Sequence, residues 1–568
     1  MSYVGRLPRR WPPYAMHLVV LAITSLGLNL YGITWGLPNV NDWANLSLAP
    51  LKPLSFAKHL LYQEPWFFHY PPFHFLVLAV VYSPYVVYLL ATGGMGSPTD
   101  TYPFGLAQPE VSLTVFTLLA RLTSVAMGTG LVLVNYLTVR RFYEARAAFV
   151  SSLLIASSYP IIHFSHNANV DVPYLFWLSL GLYSFVRLTE TFATKWYLLL
   201  ALFMALAFGT KHTTYAFAVG LIPTLLYFHY RHAAEHHPDQ TLVSAFLDRR
   251  FAYASCLFGA VLILIFNPIL NWKGFTTHIM GHAGRSIGGG GSWVLHTASS
   301  SLAGHVELSG QYLDYIRQSN GLPGFVLMAA GFLYCLVRYP KKSLIVALPI
   351  LTYYVLYLQN FGTHHLRYVL PVYLLFTWQA GKLAADVYDL KAIPRWAPQL
   401  GLALILGSSL VHGFTVDFFY ARDPRYLAEQ WIRDHIPRGT KVLAVEPTYS
   451  LPRLPKDLDL AFRNPWDFNG NLVADITDIP AEYIVVGMSI PRRSQSEKWK
   501  VTWVKDIDVD AFLTERGYRA VASFQTPHPS WGAEVPDIHV INPLVVIWQN
   551  VNGGRPPFSQ ALLPAGSR

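Results

Sequence analysis

Long apolar runs dominate the first three quarters of the chain, separated by short polar breaks. Runs that can span a bilayer cover roughly 14–36, 114–138, 147–163, 172–188, 196–209, 213–230, 251–268, 322–337, 344–358, 367–384 and 398–416. A further run, 73–91, needs a second criterion. From about residue 418 the pattern changes. Asp423-Pro424-Arg425 opens a stretch of helical period with an acidic start. Short β-rich runs follow at Lys441–Val445, Tyr483–Val486, Tyr518–Phe524 and Leu544–Trp548, with Pro, Asn and Gly turns between them. The expected architecture is therefore a polytopic α-helical membrane protein with about 11 transmembrane helices, over 1–417, followed by a soluble α/β domain over 418–568.

Composition agrees. The 568 residues are 53% hydrophobic and only 13% charged, where a soluble chain carries about 25% charged residues. The formal net charge of +10 is not a nucleic-acid signal, because the excess Lys and Arg flanks apolar segments. Its distribution also decides 73–91. With that run not crossing and the N-terminus cytoplasmic, the loops 1–13, 139–146, 187–195, 231–250, 338–342 and 382–396 share one side and hold 17 Lys and Arg. The opposite loops, 37–113, 164–171, 209–213, 269–321 and 359–367, hold 7. A crossing at 73–91 would largely invert this bias, so 73–91 is expected to lie in or dip into the outer leaflet. The first external loop is then 37–113, and the C-terminal domain is extracytoplasmic. Arg6 to Arg10 followed by a long apolar run reads as an uncleaved signal anchor. Cys256 and Cys335 both fall within apolar segments, and no structural disulfide is expected.

This topology gathers unusual polar residues on the external side. Asp42 lies in the first loop, just past the first apolar run. Ile162-His163-Phe164-Ser165-His166-Asn167-Ala168-Asn169-Val170-Asp171 forms the second external turn. Lys211 and His212 occupy the next, and His364-His365-Leu366-Arg367 a later one. Arg121 begins the second crossing from the same side. A carboxylate can deprotonate an incoming hydroxyl or amine, and cations can hold a phosphate leaving group. Structural roles stay open for each residue. Asp42 can cap an interfacial helix at Trp43, Asp171 can cap the helix containing Pro173, and Lys211 or Arg367 can snorkel to the interface. His364 and His365 are weak candidates for a divalent metal, because adjacent histidines lack ligand spacing.

At these residues the chain resembles the GT-C membrane glycosyltransferases of the protein O-mannosyltransferase and aminoarabinose (lipid A) transferase type. The resemblance rests on Trp35-Gly36-Leu37-Pro38 before the first-loop acid, and on His69-Tyr70-Pro71-Pro72-Phe73-His74-Phe75. It continues through Ala120-Arg121-Leu122, Ser165-His166-Asn167-Ala168 with Asp171-Val172-Pro173, Gly209-Thr210-Lys211-His212-Thr213, and Arg367-Tyr368-Val369-Leu370-Pro371. It runs over roughly 14–440. It implies a GT-C fold in the cell membrane and transfer of a sugar from a polyprenyl-monophosphate donor to a protein, lipid or cell-envelope glycan acceptor on the extracytoplasmic face. By the resemblance, Asp42 is the catalytic base and Asp171 the second-loop acid. Arg121, Lys211, Arg367 and His365 are expected at the donor phosphate, and His69, Tyr70 and His166 at substrate. The chain departs from the family where many relatives carry Asp-Glu: Trp43 follows Asp42. The Trp-Trp-Asp-Tyr-Gly motif of the oligosaccharyltransferase branch is absent from the tail, which argues against a pyrophosphate-linked donor. A transporter or flippase would place ionisable groups at mid-membrane depth and show two related halves; the sequence shows neither. A non-catalytic assembly subunit with the same fold is the third alternative.

Overall fold

The computed structural model describes residues 13–38, 53, 63, 65–66, 70–97, 103–236, 241, 247–287, 301–360, 365–445, 450–463, 480–488, 509–533 and 541–551. Asp42, Trp43, His69 and His364 lie outside the described residues. The chain divides into two compact units. Among described residues, the first takes 13–33, those from 53 to Asp417, and 531–533. The second takes 34–38 and the rest from Phe418 onward.

Among the described residues the first unit is mainly α-helical. Its elements are α1 (Pro13–Leu30), α2 (Phe73–Ala91), α3 (Pro109–Phe142), α4 (Ala145–Ala156), α5 (Tyr159–His166), α6 (Asp171–Thr191), α7 (Thr194–Thr210) and α8 (Thr214–His236). They continue as α9 (Arg249–Phe266), α10 (Trp272–Ile287), α11 (Leu302–Arg338), α12 (Pro340–Leu356), α13 (Leu366–Tyr388) and α14 (Trp396–Ala421). Among the described residues α2, α3, α9, α11 and the helix beginning at Trp396 are each long and apolar enough to cross a bilayer, and α4 with α5, bent by 51°, can form one broken span. The chain is a multi-pass membrane protein. The expected eleven crossings also count shorter apolar helices such as α1 and α7. Length and composition permit α2 to cross; the charge asymmetry is the argument against it.

Helix breaks follow from the sequence. Ser157 and Ser158 separate α4 from α5, and both hydroxyls turn back onto main-chain carbonyls, of Leu153 and Ile155. Inside α11, Gly321 takes a φ of +75° two residues before Pro323, a pairing that only glycine accommodates without strain. The segment 269–321, read from sequence as a loop, therefore contains α10 and the first arm of α11. Between the arms, Asn320 donates to Ser409 Oγ (2.5 Å) and to the Leu154 carbonyl (2.9 Å), and accepts from Tyr373 (2.7 Å). Buried in an apolar surround, these polar groups satisfy one another.

The second unit is built on a five-stranded sheet of order β2-β1-β3-β5-β4, from β1 (Lys441–Val445), β2 (Asp459–Arg463), β3 (Tyr483–Met488), β4 (Tyr518–Phe524) and β5 (Leu544–Asn550). β1 runs parallel to β2 and β3, while β5 is antiparallel to β3 and β4. One face packs on Ala428 and Ile432 of α15 (Pro424–His435), the other on Leu513 of α16 (Val509–Glu515). Coverage on both faces explains the continuous apolar run of β1.

Residues 34–38 belong to this unit, not to the membrane part as the sequence division at 417 had it. The reason is aromatic and ionic. Trp35 stacks on Tyr420 at 4.7 Å, and the Arg425 guanidinium lies 5.4 Å from the Trp35 ring. Tyr426 donates to the carbonyls of Thr34 and Leu37. Asp423 caps α15, accepting from the Arg425 amide at 2.9 Å, and its carboxylate pairs with the Arg425 guanidinium at 2.5 Å with both side chains fully buried. Asp423→Ala is expected to destabilise this unit by about 3–5 kcal/mol, since it strands a buried cation. Faster hydrogen exchange in β1, β3 and β5 of the full-length variant checks it.

Candidate active site

The prolines of Tyr70-Pro71-Pro72 stand at the start of α2, where Pro72 occupies the position before its first residue. The missing amide hydrogens cost nothing at a helix start. The end of α7 approaches the same point. A Cβ on Gly209 would stand 2.7 Å from Ile265 and 3.2 Å from Phe73, so glycine permits the close approach. Lys211 then leaves α7 in extended conformation.

Asp171 is the first residue of α6 and is fully buried. It does not cap: no side chain caps this helix start, and Asn169 Oδ1 takes the Val170 amide at 2.6 Å instead. The Asp171 carboxylate Oδ1 accepts from Lys211 Nζ at 2.5 Å, with side chains only 1% and 6% exposed. Lys211 is thus held inward rather than snorkelling to an interface. Asp171 Oδ2 is buried with no hydrogen-bond partner among the described residues. A negative group at a helix N-terminus also gains from the macrodipole.

Aromatic rings surround this pair. Lys211 Nζ lies 5.6 Å from the Tyr174 ring and 5.8 Å from the Tyr368 ring. Arg367, partly exposed at the start of α13, lies 5.6 Å from the Tyr368 ring and interacts electrostatically with Tyr70, Asp171 and Lys211. His365 precedes α13 and meets Tyr368 edge-on at 5.3 Å. Tyr353, Tyr357 and Tyr368 follow one another at 5.1 and 5.7 Å. The structure therefore brings together Asp171, Lys211, Arg367, His365 and Tyr70. Among the described residues one carboxylate faces two cations, leaving one net positive charge within a tyrosine lining. Such a site can hold one anionic oxygen group and still offer a carboxylate oxygen to a hydroxyl.

Arg121 and His166 stand in a second group. Arg121 is fully buried and donates to the Ile33 carbonyl. His166 Nε2 meets the Tyr31 carbonyl at 2.7 Å, and its Nδ1 the Ile162 carbonyl at 2.8 Å. Both side chains meet carbonyls of the turn that follows α1, where helix-end acceptors need partners. A third group reaches the site from the first loop. Trp66 lies 4.4 Å from the His278 ring of α10, and His278 lies 5.2 Å from His212, the neighbour of Lys211.

Sequence reasoning missed Tyr174, Tyr353, Tyr357 and Trp66. The Tyr353/Tyr357 pair, one helical turn apart at the end of an apolar run beside Arg367, was the available signal. Among the described residues no three His, Cys, Asp or Glu side chains converge on a common point. Among the described residues the site holds one carboxylate, Asp171, whose Oδ1 is taken by Lys211, and no step proposed below uses a metal.

Residues 114–272 match the family described as dolichyl-phosphate-mannose-protein mannosyltransferase. That stretch contains Arg121, His166, Asp171 and Lys211. No curated protein sequence matches the chain. Among solved structures it is similar to ArnT from Cupriavidus metallidurans bound to undecaprenyl phosphate, at 16% identity over 96% of this chain and 98% of that one, TM-score 0.46. It is also similar to the oligosaccharyltransferase AglB from Archaeoglobus fulgidus in complex with an inhibitory peptide and a dolichol-phosphate, at 13% identity over 92% and 75%, TM-score 0.45. The Saccharomyces cerevisiae protein O-mannosyltransferase Pmt1-Pmt2 complex bound to the sugar donor matches at 16% identity over 53% and 37%, TM-score 0.33.

Proposed function

We propose that this protein transfers a sugar from a polyprenyl-monophosphate donor to a hydroxyl- or amine-bearing acceptor on the extracytoplasmic face of the membrane. The observation that carries the reading is the buried Asp171–Lys211 pair beside Arg367, lying partly within the stretch matched by the mannosyltransferase family. Asp42 removes the proton of the acceptor nucleophile. The nucleophile attacks the anomeric carbon, and the bond from that carbon to the phosphate oxygen breaks with inversion. Its electron pair stays on the phosphate, where Arg367 and Lys211 meet the growing charge. Asp171 Oδ2 accepts from a sugar or acceptor hydroxyl. Arg121 and His166 hold the turn that leads from α1 toward the first loop, and His69 and Tyr70 are assigned to substrate binding.

Arg367→Ala is expected to raise the donor KM by roughly 10- to 100-fold, the worth of about 1.5–3 kcal/mol for a hydrogen bond to a charged group. Acceptor KM should change little. Initial rates over a donor titration check this. A donor dependence equal to that of the unaltered protein would remove Arg367 from the site.

A further inference from the structure

Away from this site, the first unit holds a cavity of about 550 Å³ open on one side. Phe149, Leu327, Leu383, Leu402 and Ile405 line it, drawn from α4, α11, α13 and α14. Its size is that of a small-molecule site, and its wall is nearly all hydrocarbon. Its polar side chains are Arg146, which is exposed, Tyr388, and His17, which is turned aside onto the Tyr136 hydroxyl at 3.0 Å.

The mouth is basic. The Arg146 guanidinium stands 4.6 Å from the ring of Tyr388, itself a lining residue, and pairs with Asp389. Arg140 stands 4.6 Å from the ring of Tyr14, one helical turn before His17. Exposed Lys391 and Arg395 alternate along the chain with the lining residues Tyr388, Ile393 and Ala397. Against these four cations stands Asp389; Asp386 and Glu144, nearby in the chain, are bound to Lys382. The loops involved, 139–146 and 382–396, are on the side rich in Lys and Arg, whereas the proposed donor site uses the opposite loops.

We propose that this cavity binds one acyl chain of an anionic phospholipid of the cytoplasmic leaflet, with its headgroup phosphate at Arg146, Arg140, Lys391 and Arg395. Walls with so little polar lining favour a hydrocarbon chain over a polar ligand, and the surplus of positive charge at the mouth favours an anionic over a zwitterionic headgroup. The site is separate from sugar transfer, so its test does not depend on the proposed activity.

Gly401 lines the cavity, and a Cβ built there meets nothing within 4 Å. Gly401→Leu therefore has room at its Cβ to put a side chain into the space. Full-length protein purified in mild detergent should retain about one anionic phospholipid per chain, measured by mass spectrometry of extracted lipid. Gly401→Leu should lose most of it. The pair Arg140→Ala/Arg146→Ala, half-buried and exposed respectively, should keep a lipid but lose the anionic preference. If Gly401→Leu does not fold, the arginine pair alone decides the matter: in nanodiscs, anionic lipid should raise the unfolding midpoint of the unaltered protein and not that of the pair. Equal retention in all three proteins, equal midpoints, or retention of polyprenyl phosphate in place of a phospholipid would overturn the proposal.

Discussion

Asp42→Asn is expected to reduce turnover by roughly 10²–10⁴-fold, the usual worth of a general base, with donor KM nearly unchanged. The substitution keeps size and a carbonyl oxygen but removes the proton acceptor. The chain leading to Asp42 is tethered on its N-terminal side: Trp35 lies against Tyr420 and Arg425, and Tyr426 bonds to the carbonyls of Thr34 and Leu37. Loss of rate should therefore not come with loss of structure. Rates at saturating donor, together with an unchanged unfolding midpoint, check this. Near-full turnover in a folded variant would leave the reaction without its base.

The second large effect concerns the buried pair. Asp171→Leu should destabilise the membrane unit by about 3–5 kcal/mol, since it leaves the Lys211 charge uncompensated, and Lys211→Met by less, since Arg367 remains beside Asp171. Made together they should recover most of that stability, because two apolar side chains replace two ions that had satisfied each other. Turnover should stay low in the double variant, which lacks both a cation for the phosphate and the free carboxylate oxygen. Unfolding midpoints and donor turnover of the three variants separate the two roles. A stable double variant with ordinary turnover would make the pair purely architectural.

Hydrophobic periodicity was enough to locate most membrane helices, and alternation with turn residues to locate β1, β3, β4 and β5. β2 escaped notice because Asp459-Leu460-Ala461-Phe462-Arg463 is a short edge strand with charged ends, which matches the way exposed edges are protected but carries little pattern. The break in α11 at Gly321 and Pro323 read as a helix start for the same local reason that it is a kink. At the site, polar residue types at segment ends pointed to Asp171, Lys211 and Arg367. Their partners were not legible. Asp171 and Lys211 are 40 residues apart, and Arg121 and Ile33 are 88 apart, separations over which local pattern says nothing. Tyr174, Tyr353 and Tyr357 were hidden by composition, since 34 tyrosines in a chain rich in aromatic residues mark no position. The membership of 34–38 in the second unit depends on a cation–aromatic contact that only the fold creates.

The central claim is that the chain breaks the bond between a sugar and a lipid phosphate. Purified full-length protein, reconstituted in lipid with radiolabelled polyprenyl-phosphate sugars and membrane acceptor, should release free polyprenyl phosphate in step with label appearing on the acceptor, for at least one donor sugar. Absence of both with every donor, from protein whose fold is intact, would contradict the account.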